Sequence, residues 1–245
     1  MVVRAPVDDL EPTSVVIPAY NEAERIGPTL ETVARWLEAH APGSEIVVSD
    51  DGSTDATREL ARAFAEGAPV PVTVVGQPQN RGKGAAVRTG VLAARCPLVL
   101  YSDADLSTPI EEVTKLYAAL KGGADLAFGS RSVRGARVER RQPLYRMLMG
   151  KTFNKIVRLV TGLDVVDSQC GFKLMRRETA RALFERMRID GFAFDVELLY
   201  LARRRGLRVA EVPVRWLNDP ASKVDPVRHS AEMLRDVLRL PRLHG

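Results

Sequence analysis

Four short polar segments in the first half of the 245-residue chain combine carboxylates, glycine and lysine in patterns that suit phosphate and metal chemistry. They are Asn21-Glu22, Asp50-Asp51, Gly82-Lys83-Gly84 and Asp103-Ala104-Asp105. Carboxylates one residue apart supply hard oxygen ligands for Mg²⁺ or Mn²⁺. Glycines beside a lysine at a helix start suit a phosphate, because free backbone N–H groups and the positive end of the helix dipole point outward. Together the segments predict a site for a nucleoside diphosphate with its divalent cation.

Each segment taken alone has a simpler explanation. A helix-capping turn accounts for Ser53-Thr54-Asp55, and polar or glycine-rich turns account for many Asp-x-Asp triplets and Gly-Lys-Gly segments. Capping does not account for Asp50-Asp51, because two like charges side by side at a strand end repel each other. A carboxylate that accepts hydrogen bonds from the edge of uracil or guanine would account for this pair.

The polar segments follow strand-like runs that alternate with helical patterns. Strands are predicted at Ser14–Pro18, Glu45–Ser49, Val70–Val75, Pro97–Ser102 and Ala124–Gly129. Helices are predicted at Ile26–Ala39, Ala56–Ala65, Gly84–Ala94 and Ile110–Lys121, where apolar residues recur at helical spacing. This alternation predicts an α/β fold with a mostly parallel sheet flanked by helices on both faces. Because ligands bind beyond the carboxyl ends of such strands, we expect the polar segments to meet at one edge.

The second half of the chain is less regular. The predicted elements there are helices at Gln142–Val160, Arg177–Arg186 and Phe194–Arg205, a strand at Arg208–Val214 and a final helix at Pro226–Leu238. The segment DVVDSQCGFK is predicted to be a loop. No linker or repeat divides the sequence. We therefore expect one domain over residues 1–245, with a nucleotide-binding half at 1–130 and an acceptor half with a helical C-terminal extension at 131–245.

The composition, 45% hydrophobic and 27% charged, is ordinary for a globular protein and excludes disorder and collagen-like repetition. No apolar run reaches the roughly 18 residues of a spanning helix, and the N-terminus lacks the apolar core of a signal peptide. Cys96 and Cys170 have no metal-ligand spacing. These features predict a cytoplasmic location, with peripheral contact on the cytoplasmic membrane face as an alternative.

Positive charge is concentrated in one span. Of the net charge of +5, Arg131–Arg158 contributes nine basic residues against Glu139, so this span carries +8 and the remainder −3. A solvated, arginine-rich helix surface and a helix lying on an anionic membrane, or on a membrane partner protein, are both open interpretations. Nucleic-acid binding is disfavoured, because the acidic strand-end clusters would repel a phosphate backbone.

The segments SVVIPAYNEAERI, IVVSDDGSTDAT, NRGKGAAVRTG and LYSDADLSTP resemble, in order and spacing, those of the nucleotide-sugar-dependent glycosyltransferases of inverting family two, which have the GT-A fold. The second half is similar to the dolichyl-phosphate and polyprenyl-phosphate β-glucosyltransferases. The segments that carry this second likeness are FGSR, DSQCGFKLM, GFAFDVELLYLARR and VPVRWLNDPASKV. The resemblance thus extends over nearly the whole chain.

The resemblance implies roles for individual residues. Those implied for the nucleotide-sugar pocket are Pro18, Tyr20, Glu22, Asp51, Lys83 and Asp103. Asp105, with Asp103, is implied as the metal site for Mg²⁺ or Mn²⁺. Residues implied for holding phosphate groups on the acceptor side are Arg131, Gln169, Lys173 and Lys223. Asp195 and Glu197 are implied to border the sugar and acceptor, and the catalytic set is Asp105, Arg131 and Asp195.

The reaction that the resemblance implies is inverting transfer of a hexose, most simply glucose from UDP-glucose, to a polyprenyl or dolichyl phosphate. The alternatives are another donor such as GDP-mannose, or a soluble acceptor hydroxyl. A lipid phosphate is already ionised near neutral pH, so it needs no strong general base. A hydroxyl acceptor would need one, and Asp195 is the candidate.

Overall fold

The computed structural model describes residues 10–139, 144–217 and 226–245, and for residues 144–149, 151 and 226–230 it describes the helical backbone without the side chains. The strands are β1 Thr13–Ala19, β2 Glu45–Asp50, β3 Val72–Gly76, β4 Leu98–Ser102, β5 Leu126–Ser130, β6 Arg137–Val138, β7 Phe172–Arg176, β8 Val209–Pro213 and β9 Arg215–Trp216. The helices are α1 Ala23–His40, α2 Thr57–Glu66, α3 Lys83–Ala93, α4 Val113–Lys121, α5 Leu144–Thr161, α6 Arg177–Phe184, α7 Phe194–Arg204 and α8 Pro226–Leu243. A 3₁₀ turn, Ile110–Glu112, precedes α4.

Seven of the strands form one sheet in the order β3-β2-β1-β4-β7-β5-β8. All neighbouring pairs are parallel except those that involve β7, so the prediction of a mostly parallel sheet is confirmed. From β1 the chain adds β2 and β3 on one side and then β4 on the other side, so the direction of strand addition reverses between the parallel neighbours β1 and β4. Pairing of β1 with β4 stops at Val16 and Tyr101, whereas pairing with β2 continues to Ala19 and Asp50. A crevice therefore opens at the reversal point, where α/β sheets bind ligands.

Helices cover both faces of the sheet because side chains alternate along each buried strand. Val16 packs into a core with residues of α3, α6, α7 and α8, and its neighbours Val15 and Ile17 pack into a second core with α1 and α4. Both faces of β1, β2 and β4 are buried, which explains their nearly continuous apolar sequences. The predicted layering is confirmed.

The sequence-based boundaries fail mainly in the second half. The predicted loop DVVDSQCGFK ends inside β7, an antiparallel strand that lies between β4 and β5. Strand β7 has only five residues, four of them buried, so its sequence lacks the alternation of apolar and polar residues that would identify a strand. The two-residue strands β6 and β9 form a small parallel sheet that was not predicted. The last helix is five residues longer than predicted and contains Pro241.

Close packing of α3 on the sheet gives a stability prediction. A Cβ atom at Gly90 would lie 2.5 Å from Val16 Cγ1 and 3.0 Å from Ser49 Cβ, whereas a Cβ at Gly27 in α1 would meet nothing within 4 Å. Gly90→Ala should lower the free energy of unfolding by about 1–3 kcal/mol. Gly27→Ala should be neutral or stabilising by about 0.5–1 kcal/mol, since alanine is the better helix former. Urea unfolding of both variants checks this, and equal stability of the two would contradict it.

Candidate active site

The loop Asn80–Gly84 at the start of α3 is held by the carboxylate of Asp51, which follows β2. Asp51 accepts hydrogen bonds from the backbone N–H groups of Arg81 (3.0 Å) and Gly82 (2.8 Å) and from the side-chain amide of Asn80 (3.0 Å). Burial raises the pKa of Asp51, although the two backbone hydrogen bonds oppose that rise. Asp51 therefore shapes the glycine-rich loop, and its direct contact with a base remains a prediction.

Asp50, the other half of the acidic pair, has a separate structural role. It is fully buried at the end of β2 and forms an ion pair with Arg58 of α2 at 2.6 Å. The same guanidinium donates to the carbonyl of Gln77 at 2.8 Å. The two adjacent carboxylates thus have different partners, which offset part of their mutual repulsion, although the charge of Asp50 still contributes to the raised pKa of Asp51.

Lys83 and the two aspartates of the Asp-x-Asp segment meet at the crevice edge. Lys83 Nζ lies 2.7 Å from Asp103 Oδ1, and the side chains are 23% and 33% exposed. Burial alone would lower the pKa of Lys83, but the charges of Asp103 and Asp195 raise it above its ordinary value. The pKa of Asp105 is raised by burial and then by the neighbouring Asp103 charge. The lysine and three carboxylates therefore form one interacting group.

The segment Asp103–Leu106 is braced from two directions. Thr29 of α1 donates to the carbonyl of Ala104 at 2.6 Å, and the N–H of Asp103 donates to the carbonyl of Gly171 at 3.1 Å. A Cβ atom at Gly171 would lie only 2.1 Å from Asp103 Oδ2. Gly171 thus leaves the space in which the Asp103 carboxylate lies.

Asp195 and Lys173 lie beneath the crevice and are fully or almost fully buried. Lys173 Nζ contacts Asp195 Oδ1 at 2.6 Å, the carbonyl of Cys170 at 2.7 Å and the hydroxyl of Tyr101 at 3.1 Å. The Tyr101 hydroxyl also donates to Asp195 Oδ1. Burial, followed by the charge of Asp195, raises the pKa of Tyr101 well above its usual value, so Tyr101 stays a donor. The structure brings Asp195 and Lys173 together, with Lys173 surrounded by protein groups.

Arg131, after β5, is anchored by a bidentate ion pair. Its Nε and one terminal nitrogen each donate to Asp167 at 2.7 Å, and its backbone N–H donates to the same carboxylate at 2.9 Å. The guanidinium also lies 5.3 Å from the ring centroid of Trp216 in β9. Burial alone would lower the pKa of Arg131, but Asp167 raises it, and the charge of Asp103 adds to that rise. The anchored arginine therefore lies within electrostatic reach of the Asp-x-Asp segment.

The remaining predicted site residues lie at several depths. Pro18 is half-buried in β1, and the exposed fraction of Tyr20 is 41%. Glu22 pairs with Arg25 at 2.7 Å. Gln169 Nε2 is buried without a hydrogen-bond partner among the described residues, an arrangement that suits an acceptor group from a ligand. Lys223 lies outside the described residues.

The donor set at the crevice edge fits a magnesium or manganese ion. Asp103 and Asp105 offer carboxylate oxygens, and Asp103 Oδ1 has no hydrogen bond in the described chain beyond its ion-pair contact with Lys83. Within the described residues no cluster of three or more His, Cys, Asp or Glu could hold a metal ion. Mg²⁺ is commonly held by one or two carboxylates together with substrate phosphates, so a pair suffices when a diphosphate supplies the other ligands.

Comparisons with known proteins agree with this geometry. The sequence profile of the family "Glycosyl transferase family 2" matches residues 14–184. The chain belongs to glycosyl transferase family 2. It is 36% identical to a dolichyl-phosphate beta-glucosyltransferase from Dictyostelium discoideum, over 97% of this chain and 76% of that protein. It is 38% identical to the protein of the same name from Drosophila melanogaster, over 93% of this chain and 73% of that protein. The chain is accordingly a nucleotide-sugar-dependent glycosyltransferase.

A solved structure shows the same fold. Glucosyl-3-phosphoglycerate synthase from Mycobacterium tuberculosis in complex with UDP superposes with a TM-score of 0.68, covering 94% of this chain and 78% of that one at 24% identity. The expectation of a GT-A fold is confirmed. The same mycobacterial enzyme has been crystallised with Mg²⁺ and with Mn²⁺ in addition to UDP.

Several residues that shape the site were not predicted from the sequence. Arg58, Tyr101 and Asp167 each pair with a candidate residue. Tyr101 and Asp167 lie within the segments LYSDADLSTP and DSQCGFKLM, but their partners are 94 and 36 residues away along the chain, so the sequence did not assign these pairs. Gly171 carried a signal, since glycine beside apolar residues marks a close approach of backbone to another group. Among the described helices, none is both long and apolar enough to cross a bilayer.

Replacing Gly171 with alanine should displace the Asp103 carboxylate, because the added Cβ atom would overlap it. We expect UDP affinity in the presence of Mn²⁺ to fall by about tenfold or more, since small misplacements at a site have large effects. Calorimetric titration measures this, with Gly67→Ala as the control because a Cβ at Gly67 meets nothing within 4 Å. Unchanged UDP affinity in Gly171→Ala would contradict the assigned role of Gly171.

The Arg131–Asp167 pair should stabilise the fold in a pH-dependent way. Burial alone would raise the pKa of Asp167, but Arg131 lowers it below its ordinary value. The stabilisation is therefore present at neutral pH and is lost as pH falls below about 4 and through the lowered pKa. Asp167→Asn should lower the free energy of unfolding at pH 7 by about 1–3 kcal/mol.

The difference in the free energy of unfolding between wild type and Asp167→Asn should shrink when unfolding is measured below a pH of about 4. Asp164→Asn is the matched control, because Asp164 is 97% exposed and pairs with Arg158 only at 3.4 Å. Exposed pairs contribute about 0–1 kcal/mol, so the control should be nearly neutral. A pH-independent loss in Asp167→Asn would show that packing, rather than charge, is responsible.

Proposed function

We propose that this glycosyltransferase transfers glucose from UDP-glucose to a polyprenyl or dolichyl phosphate, with inversion at the anomeric carbon. The observation that carries the proposal is an acidic, metal-suited edge, Asp103 and Asp105, together with the cation Arg131, which Asp167 anchors and whose pKa the charge of Asp103 helps to raise. Relatives that are 36–38% identical over nearly the whole chain carry the name dolichyl-phosphate beta-glucosyltransferase. Both observations support a donor and an acceptor that each bring a phosphate.

The donor half of the crevice is assigned to residues 1–130, within the single domain predicted for the chain. The backbone N–H groups of Arg81 and Gly82 are bonded to Asp51, so Lys83 is the group that this loop offers to a diphosphate. Exposed Tyr20 is available to cover the nucleoside. A Mg²⁺ or Mn²⁺ ion held by Asp103 and Asp105 would act as a Lewis acid toward the leaving diphosphate. Lys83, held charged by its carboxylate neighbours, adds a positive charge beside that leaving group.

The acceptor half must bring a second anion close to an anionic donor. Arg131 offers a guanidinium whose orientation is held by Asp167 and by the face of Trp216. The amide nitrogen of Gln169 lacks a protein partner in the described chain and can donate to a phosphate oxygen. Without such groups the two anions would repel each other across a dry site. Lys223, outside the described residues, remains a predicted acceptor ligand.

In this proposal Asp195 orients groups rather than taking a proton. One of its oxygens already accepts hydrogen bonds from Lys173 and Tyr101. A phosphate acceptor is ionised at neutral pH and needs no base. Lys173, predicted from the sequence to hold a phosphate, is buried among protein acceptors, and this arrangement favours a role in fixing Asp195.

A polyprenyl acceptor lies in a bilayer, so the protein must approach a membrane surface. The described side chains of α5 expose Lys155, Arg158 and Leu159 close together, and Leu159 is 86% exposed. Basic and apolar side chains on one helix surface suit an anionic lipid interface. Peripheral contact through α5, on the cytoplasmic side, is therefore part of the proposal. Arg140 and Arg141 of the basic span lie outside the described residues.

The proposal is tested by incubating the purified protein with radiolabelled UDP-glucose, Mn²⁺ and dolichyl phosphate in detergent and following label into the organic phase. We expect lipid-linked label that depends on the acceptor and disappears with a chelator. GDP-mannose, and a soluble phosphorylated acceptor such as 3-phosphoglycerate, are the parallel arms. Label that stays water-soluble with every lipid acceptor would overturn the proposal.

Asp105→Ala should reduce the rate of transfer about 10²-fold or more, because stabilisation of the leaving diphosphate is lost. Its melting temperature should change little, since Asp105 forms no ion pair with the described residues, and loss of its hydrogen bond from the Ser107 N–H is offset by relief of repulsion from Asp103. Glu66→Ala, an exposed carboxylate at the end of α2, is the matched control and should keep full activity. Near-normal turnover in Asp105→Ala would remove the metal assignment.

A further inference from the structure

Glu197, in the first turn of α7, is a buried carboxylate that the proposed chemistry leaves unexplained. Its exposed fraction is 0%, and its oxygens accept hydrogen bonds from the backbone N–H groups of Arg188 (2.8 Å) and Ile189 (2.9 Å). The third contact is His244, whose Nε2 lies 2.6 Å from Glu197 Oε1. A carboxylate accepts only, so Nε2 must carry the proton in this contact. Glu197 is thus bound to a loop on one side and to the residue after α8 on the other.

The loop that Glu197 holds, Arg188–Gly191, packs against the glycine-rich loop that precedes α3. The carbonyl of Asp190 accepts a hydrogen bond from the N–H of Ala85 at 3.1 Å, in the first turn of α3. A Cβ at Gly82 would lie 2.5 Å from that carbonyl oxygen, and one at Gly84 would lie 2.5 Å from the carbonyl oxygen of Ile189. The two glycines are therefore needed for contact with Arg188–Gly191, in addition to any phosphate they approach.

Side chains join the same two loops. The Asp190 carboxylate forms ion pairs with Arg81 at 2.9 Å and with Arg88 at 2.6 Å. The glycine-rich loop is consequently held between Asp51 on one side and Arg188–Gly191 on the other. Asp51 is itself anchored at the end of a buried strand, whereas Arg188–Gly191 follows a helix end and takes two backbone hydrogen bonds from Glu197. The position of Lys83 therefore depends on Glu197 through one intermediate loop.

We propose that Glu197, with its partner His244, is a positioning residue of the donor site: it fixes Arg188–Gly191, which in turn fixes the backbone that carries Lys83. The assignment of that backbone to the donor rests on the proposed function. The family resemblance implies that Glu197 borders the sugar and acceptor, whereas its hydrogen bonds lead to Arg188–Gly191 and His244, behind the glycine-rich loop. Since His244 directly follows α8, this contact couples the end of the chain's last helix to the donor site.

The first measurement uses hydrogen exchange followed by mass spectrometry and needs no substrate. In Glu197→Gln the side-chain amide has one oxygen to accept from the backbone N–H groups of Arg188 and Ile189. Its NH₂ group then faces either His244 or one of those N–H groups. Exchange should speed up in peptides that cover residues 186–191 and also in those that cover residues 82–89. Leu37→Ala is the control, because Leu37 is buried near the far end of α1 and should lower overall stability without selective change at these segments. Faster exchange at 186–191 alone would overturn the proposal.

The second measurement separates binding from chemistry. For Glu197→Gln and for His244→Ala, the KM for UDP-glucose should rise by about tenfold, and kcat should fall as well because Lys83 lies beside the leaving group. Glu197→Gln leaves a buried N–H short of an acceptor, and His244→Ala leaves Glu197 short of a donor, so in both variants the loop that carries Lys83 is less firmly held. His244→Gln keeps an N–H donor and should restore the wild-type KM. A fall in kcat with KM unchanged in both variants would overturn the positioning role.

The two proposals fail in different ways. If the wild-type protein does not use UDP-glucose, the proposed function fails, and the exchange data with Glu197→Gln still decide whether the two loops are coupled. If the wild type is active and the variants keep its KM and its exchange pattern at residues 82–89, the proposed function stands and the role of Glu197 is wrong.

Discussion

The site depends on one electrostatic arrangement, in which the ammonium of Lys83 lies among the carboxylates of Asp103, Asp105 and Asp195. Asp103 and Asp105 follow β4 and Asp195 lies in the first turn of α7, so three carboxylates approach one another and would repel. Lys83 compensates part of that charge, and the charges of Asp103 and Asp195 raise its pKa against the effect of burial. Burial, followed by the charge of Asp103, raises the pKa of Asp105, and a divalent cation arriving with a diphosphate would neutralise this concentration of negative charge. The acidity that disfavours nucleic acid therefore favours a nucleotide with its metal.

Supporting residues hold or accommodate three groups at the crevice edge. Asp51 holds the glycine-rich loop, Asp167 holds Arg131, and Gly171 leaves room for Asp103. Asp51 follows β2, Asp167 lies in the segment before β7 and Gly171 lies in the turn into β7, so they are far apart in the sequence. The antiparallel strand β7 pairs with both β4 and β5, so Gly171 lies beside Asp103 after β4 and Asp167 beside Arg131 after β5. The insertion of β7 between β4 and β5 thus joins the acceptor side of the crevice to its donor side.

A feature could be predicted from the sequence when the pattern that indicates it lies within a short stretch of the chain. The alternation of strands and helices and the meeting of Lys83 with Asp103 follow from patterns shorter than about 15 residues, combined with the rule that ligands bind beyond the carboxyl ends of parallel strands. The strand order was not predicted. Strand β7 and the small β6–β9 sheet were missed because two to five residues carry too little periodicity to decide. The complete burial of the Lys173 side chain was not predicted either. A lysine in a motif suggests an exposed phosphate ligand, and only tertiary structure shows that its ammonium is enclosed by Tyr101, Asp195 and backbone carbonyls.

The enclosure of Lys173 also bears on why a phosphate acceptor suits this site. Asp195 directs one oxygen at the Lys173 ammonium and the Tyr101 hydroxyl, and these two contacts fix its orientation. A carboxylate held in this way is suited to accept a hydrogen bond from a bound hydroxyl group. An ionised phosphate acceptor needs no general base. Arg131 and Lys83 are suited to position anions, and Asp195 is already engaged by Lys173 and Tyr101. This combination suits a nucleophile that arrives already deprotonated, such as a phosphate.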